Sequence, residues 1–190
     1  MYDTALTIDE VLSQLAEQPK AIHALTKGLP RARLHRSARR DEWSLNDVLA
    51  HLRSCGDMWG PYMATIITED HPTIRAMNPR TWIKRTNYPE LEFAPSFRAY
   101  TKQRADLLAL LRSLRRAAWS RSATVTGAGR PREMTVLDYA RWLANHERSH
   151  VKQIARIADG STTERPLNSL RVTALATAAT RRRARSGRRR

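Results

Sequence analysis

Leu143-Ala144-Asn145-His146-Glu147-Arg148-Ser149-His150 lies inside a segment whose apolar residues, Tyr139, Leu143, Ile154 and Ile157 among them, recur at spacings of three or four. That period marks one face of an α-helix. His146 and His150 fall on the same face four residues apart, so a helix sets one imidazole above the other. Such a pair suits a metal ion, and it equally suits two packed core histidines. A third donor from elsewhere in the chain is needed to separate the two readings. Thr135, with Asp138 three residues on, has the form of an N-cap and opens this helix, while Gly160 stops it.

Working outward, three further amphipathic stretches appear. Thr7 and Glu10 form a capping box ahead of Ile8, Val11, Leu12 and Leu15; Pro19 kinks or divides this first helix, and Gly28 and Pro30 end it. Ser44 caps a second helix, with Asp47 three residues later. Along it Val48, His51, Leu52, Cys55, Met58, Trp59 and Tyr62 recur at helical spacing. Pro95 sits in the first turn of a third, whose buried face is Phe97, Tyr100, Leu107, Leu108, Leu111 and Leu114. The segment from Asp70 to Glu92, rich in proline pairs, reads as a long crossover with about one helical turn, and Trp119 to Arg132 as a polar loop. No stretch alternates like a strand. The expected fold is all-α, a four-helix up-and-down bundle with a long crossover after the second helix.

Length and composition bound the rest. A chain of 190 residues, 41% hydrophobic, holds one core domain, placed at 1–160, followed by a basic, disordered tail at 161–190. No run of about 18 apolar residues spans a bilayer. Met1-Tyr2-Asp3-Thr4 opens no secretory signal, so the expected location is cytoplasmic, without a membrane partner. The single cysteine, Cys55, excludes an internal disulfide and a multi-cysteine zinc site. The formal charge of +16 is uneven: eight arginines from Arg171 to Arg190, with no acidic residue, carry half of it. Nucleic acid is therefore a partner only through that tail, and no DNA-reading motif accompanies it.

His51 is the candidate third ligand, since it alone among the other histidines sits on an apolar helical stripe. Three neutral imidazoles suit zinc, nickel, copper or iron and leave a coordination position open. Read alone, a single inward histidine is more often a hydrogen-bonded core residue than a ligand. Asp47, one turn before His51, either orients it or completes the cap, and the cap pattern favours the second. Cys55, one turn after His51, either approaches the site or packs as a small hydrophobe. Glu147 and Arg148 point to other faces and are read as solvated or interhelical pairs. His23 and His35 are read as surface residues. Trp43, Trp59, Trp82 and Trp142 either wall a pocket or fill the core.

Glu42-Trp43-Ser44-Leu45 with His51-Leu52, and Asn145-His146-Glu147-Arg148-Ser149-His150-Val151-Lys152-Gln153-Ile154, resemble the two signature stretches of the DinB-like superfamily. The resemblance runs from about Ile8 to Ala158. It implies a four-helix bundle in which a divalent metal, zinc or nickel, is held by His51, His146 and His150. It also implies thiol chemistry, because the superfamily includes mycothiol- and bacillithiol-dependent transferases and a maleylpyruvate isomerase. One departure stands out: the acidic residue often found near the position of Gly56 is absent here.

The expected function is thus a metal-dependent enzyme, a thiol S-transferase or isomerase, that activates a low-molecular-weight thiol co-substrate against a small-molecule electrophile. A non-enzymatic metal- or ligand-binding, stress-related bundle is the alternative. A homodimer through an exposed apolar stripe is open, with no residue that commits the chain to it.

Overall fold

The computed structural model describes residues 5–160 apart from 38, 40 and 41; the expected tail at 161–190 lies outside the described residues. Among the described residues six α-helices, α1 (Ile8–Thr26), α2 (Arg31–His35), α3 (Leu45–Thr68), α4 (Pro79–Trp82), α5 (Phe93–Arg112) and α6 (Val136–Ala158), include the four long ones expected. Three of those four begin on reciprocal caps. The Thr7 backbone N–H donates to Glu10 Oε2 at 2.7 Å, that of Ser44 to Asp47 Oδ2 at 2.9 Å and that of Thr135 to Asp138 Oδ2 at 3.0 Å. Each cap hydroxyl accepts in return from the backbone N–H three residues on, which satisfies donors a helix start leaves free. Asp47 is therefore spent on the cap. Pro19 interrupts nothing, since α1 runs through it.

Contacts between the long helices fix their directions. Gln18 Nε2 donates to the Ala144 carbonyl at 2.8 Å, and Arg141 Nε to the Leu6 carbonyl at 2.6 Å, so α1 and α6 run the same way. Arg53 meets Ser96 and Asp57 meets Gln103, so α3 and α5 also run together, against the other two. Short connections would force neighbours to alternate. The crossover from Glu69 to Glu92 carries the chain back along the bundle, and this lets two successive long helices point the same way. The core falls into two apolar clusters, one around Trp59, Leu111, Tyr139 and Leu143, the other around Leu45, Leu49, Leu52 and Ile154. Each fully buried leucine contributes roughly 1.5–3 kcal/mol of transfer free energy. The α3 and α6 residues between the clusters build the site.

Two segments read as loops contain short strands. β1 (Thr73–Arg75) pairs in parallel with β2 (Ser122–Thr126), and β2 pairs antiparallel with β3 (Arg132–Thr135). β2 is too short to announce itself in sequence, although Ala123 and Val125 do point inward in alternation. Gly127 and Gly129 in the turn take φ of 83° and 96°, which glycine adopts without a Cβ penalty. The crossover is likewise not a bare loop. Asp57 accepts from Tyr88 Oη at 2.8 Å, Trp82 Nε1 at 3.3 Å and Gln103 Nε2 at 2.7 Å, tying it to α3 and α5. Ser54 Oγ donates to the Pro79 carbonyl at 3.2 Å, and Asn46 Nδ2 to the Pro89 and Leu91 carbonyls, each at 3.0 Å. No helix among the described residues is long and apolar enough to cross a membrane.

Candidate metal centre

The cap at Ser44 sets the phase of α3, which turns Val48, Leu52 and Cys55 inward and brings His51 with them, 6% exposed. The cap at Thr135 does the same for α6, placing His146 and His150 on the face that packs against α3. The three imidazoles meet. His146 Nε2 lies 3.2 Å from His51 Nε2 and 3.2 Å from His150 Nε2. Cys55 Sγ sits 3.5 Å from His51 Nε2 and 4.0 Å from His146 Nε2. The donor atoms of His51, Cys55 and His146 all fall within 4.8 Å of one another. Trp43 lies over His51 and His150, with ring centroids 5.0 and 6.0 Å away, and Trp59 meets His146 edge-on at 5.0 Å. Trp142 stacks behind Trp59, whereas Trp82 belongs to the Asp57 network.

The tautomers can be assigned from partners. An amide oxygen only accepts, so the 2.8 Å contact between His150 Nδ1 and Gln153 Oε1 makes Nδ1 the donor and leaves a bare lone pair on His150 Nε2. That lone pair points at His146 Nε2. A proton on His146 Nε2 would serve one neighbour and not both, and His146 Nδ1 is buried with no partner among the described residues. Converging nitrogens with fewer protons than acceptors fit a cation better than they fit one another. Gln153 therefore orients the His150 ring. Gln153→Leu is expected to weaken divalent-metal binding about 10–100-fold by calorimetric titration, as loss of an orienting partner typically does; unchanged affinity would remove that role.

Burial also keeps the cluster neutral. His51 is pushed down to about 3, first by desolvation and then by positive charge on His150 and Arg80. His146 is pushed down to about 2 by desolvation, then by charge on His150 and His51. His150 is lowered by desolvation and by Arg80, against the hydrogen bond to Gln153. Neutral imidazole is the ligating form. A pH dependence follows for the metal-free protein. Below the ordinary 6.5 the unfolded chain binds protons that folded His51 refuses until about 3. Stability is thus fully present above about pH 6.5 and falls as pH drops, by up to about 1.4 kcal/mol per pH unit for each such histidine. Denaturant unfolding of chelator-treated protein from about pH 7 to about pH 4 checks this, and a flat profile would contradict it.

Other sequence expectations land differently. His23 is exposed, but His35 is half-buried with its Nε2 3.4 Å from Glu92 Oε2. Arg148 takes the solvated alternative, and Glu147 the interhelical one: it is fully buried in an ion pair with Arg104, itself 1% exposed, and accepts from Tyr100 Oη at 3.2 Å. A buried arginine on α5 was missed because Arg104 sits in a stretch otherwise rich in polar residues. The departure at Gly56 has a local cause. A Cβ there would overlap the Gln103 side-chain amide where α5 crosses close to α3, and the neighbouring carboxylate of Asp57 is used to hold the crossover.

A helical bundle with a long crossover and three imidazoles converging between facing helices defines a fold and a centre suited to binding metal. The profile of the DinB superfamily matches residues 14–154. The chain belongs to that superfamily. It is 24% identical over 143 residues, 75% of this chain and 82% of the relative, to a Halalkalibacterium halodurans protein, BH0277, named provisionally as a metal-dependent hydrolase. Its fold matches Bacillus subtilis YfiT with a TM-score of 0.72 at 16% identity, covering 84% of this chain and 92% of that one. YfiT is described as a probable metal-dependent hydrolase with an unusual four-helix bundle topology.

Proposed function

We propose that this chain is a divalent-metal enzyme of the thiol-transferase type, with His51, His146 and His150 as the ligands. The observation that carries the reading is the convergence of three neutral imidazole nitrogens, 3.2 Å apart along two edges, inside a bundle core. Zinc or nickel suits an all-imidazole face. A cation held there would supply Lewis acidity, raising the acidity of a nucleophile that reaches it. The chain's own groups set the surroundings. Trp43 and Trp59 keep the imidazoles dry, and Gln153 holds the His150 proton on Nδ1 so that Nε2 faces inward. Such apolar walls favour a soft, weakly hydrated nucleophile such as a small-molecule thiol, attacking a small-molecule electrophile in a transfer or isomerisation. Cytoplasmic thiol pools would supply the co-substrate.

A hydrolytic reading, with water as the nucleophile, is favoured by the names of BH0277 and YfiT. One assay separates the two. Metal-loaded protein is offered a model electrophile with mycothiol, bacillithiol or glutathione, and separately an activated ester without thiol. Metal-dependent conjugation supports the transferase; thiol-independent ester cleavage supports the hydrolase. No metal-dependent turnover of either kind would leave a binding protein in place of an enzyme. Homodimerisation, and nucleic-acid association through the arginine tail, are separate proposals to be read by sedimentation and by salt-dependent DNA retention.

A further inference from the structure

We infer that Arg80, on the crossover beside the histidine centre, receives a carboxylate, so that the substrate class this site takes is a small organic acid. The inference rests on the three-histidine reading and adds a specificity-determining residue to it. Position comes first from the backbone. Ser54, three residues after His51 on α3, donates through Oγ to the Pro79 carbonyl at 3.2 Å, and the Asn78 side chain accepts from the Arg80 N–H at 2.9 Å. Trp82 Nε1, two residues further on, donates to Asp57 at 3.3 Å. These contacts pin α4 against the turn of α3 that follows His51, which sets Arg80 at the edge of the site.

The Arg80 side chain is exposed, and its guanidinium has no hydrogen-bond or ion-pair partner among the described residues. Other charges near the centre are engaged. Glu147 pairs with Arg104, and Asp57 accepts from Tyr88, Trp82 and Gln103. Arg53 lies on the Tyr88 ring, 3.7 Å from its centroid, and donates to Ser96 Oγ at 3.1 Å. The charge of Arg80 reaches the site from one side. His51 and His150 are each lowered by desolvation first and by Arg80 besides, whereas His146 is lowered by desolvation and its two histidine neighbours. Trp43 covers the same two rings, His51 and His150, so an apolar wall and a cation both border them. A fixed positive charge beside a divalent cation repels it, a cost that an anion placed between them offsets. A carboxylate is such an anion, and its two oxygens match the fork of the guanidinium. The rest of the acid, its sulfur or its electrophilic carbon, is then directed at the centre.

Calorimetric titration of the zinc-loaded full-length protein with two matched pairs tests this: mercaptoacetate against mercaptoacetamide, and benzoate against benzamide. The acid-to-amide affinity ratio of at least one pair should be about 10-fold higher in the wild type than in Arg80→Met. A difference in the mercaptoacetate pair alone puts the carboxylate on the thiol, and one in the benzoate pair puts it on the electrophile. Arg80→Lys, which keeps the charge and loses the fork, should retain part of the preference. Arg80→Met should also bind zinc no less tightly than the wild type, since a repelling charge is gone; weaker zinc binding would mark a structural residue instead. Ratios equal in the wild type and Arg80→Met for both pairs overturn the inference and leave the histidine centre standing. A wild type that takes up no zinc overturns both.

Discussion

Alanine at His146 is expected to lower divalent-metal affinity by more than about 100-fold, beyond what loss of an orienting partner removes. Of the three imidazoles it is the middle one, with its Nε2 3.2 Å from each of the other two. Its loss therefore leaves His51 and His150 without the nitrogen that bridges them. The metal-free protein should respond differently. There, His146 is a buried ring whose Nδ1 has no hydrogen-bond partner among the described residues, so its removal deletes an unsatisfied polar atom along with some packing. Thermal unfolding with and without added zinc separates the two effects. A ligand that binds only the folded state stabilises it by an amount that grows with the logarithm of its affinity, so at modest zinc excess the zinc-induced rise in Tm should all but vanish in His146→Ala while the zinc-free transition moves little. A wild-type rise in that variant would contradict the assignment.

The second large effect concerns the ion pair behind the site. Glu147→Ala is expected to destabilise the fold by about 3–5 kcal/mol, because it strands the Arg104 guanidinium in the core. For a chain of this size that is a fall in Tm of roughly 10 °C. Burial pushes the Glu147 carboxyl up, and Arg104 and Tyr100 hold it back. Arg104 already has two nitrogens, Nε and Nη1, without hydrogen-bond partners among the described residues, and beyond Glu147 its guanidinium has only the face of the Tyr100 ring, 5.6 Å from Cζ. Replacing both members, with Arg104→Met and Glu147→Leu, should cost far less than the single change, since an apolar pair needs no compensation. A double-mutant cycle by denaturant unfolding reads this directly; equal cost for the single and the double variant would refute it. The pair also bears on the site. Glu147 follows His146 directly on α6, so anchoring it to α5 helps fix the rotation that presents His146 and His150 to α3.

What the sequence made legible follows from periodicity. The three capping boxes and the apolar stripes located α1, α3 and α6 because hydrophobic spacing and hydroxyl-carboxylate pairs are local signals. His51, His146 and His150 were legible as inward residues for the same reason, and the superfamily resemblance joined them into a trio. The sheet was not legible, since three-residue β1 is specified only by its pairing with β2, some fifty residues away in the chain. Gln153 was present in the quoted motif, yet its role needed the Oε1 contact to be seen. Glu147 was legible only as a solvated or interhelical pair, and Arg104 drew no reading at all, because only the facing helix reveals the partner. Direction was also hidden: that α3 and α5 run together depends on where the crossover docks, which Asp57 decides through Trp82 and Tyr88.

Metal content tests the central claim most directly. Elemental analysis of wild type, His51→Ala, His146→Ala and His150→Ala, purified alike without chelator, is expected to find about one equivalent of divalent metal in the wild type and a marked loss in each variant. Equal metal content in all four proteins would contradict the three-histidine centre.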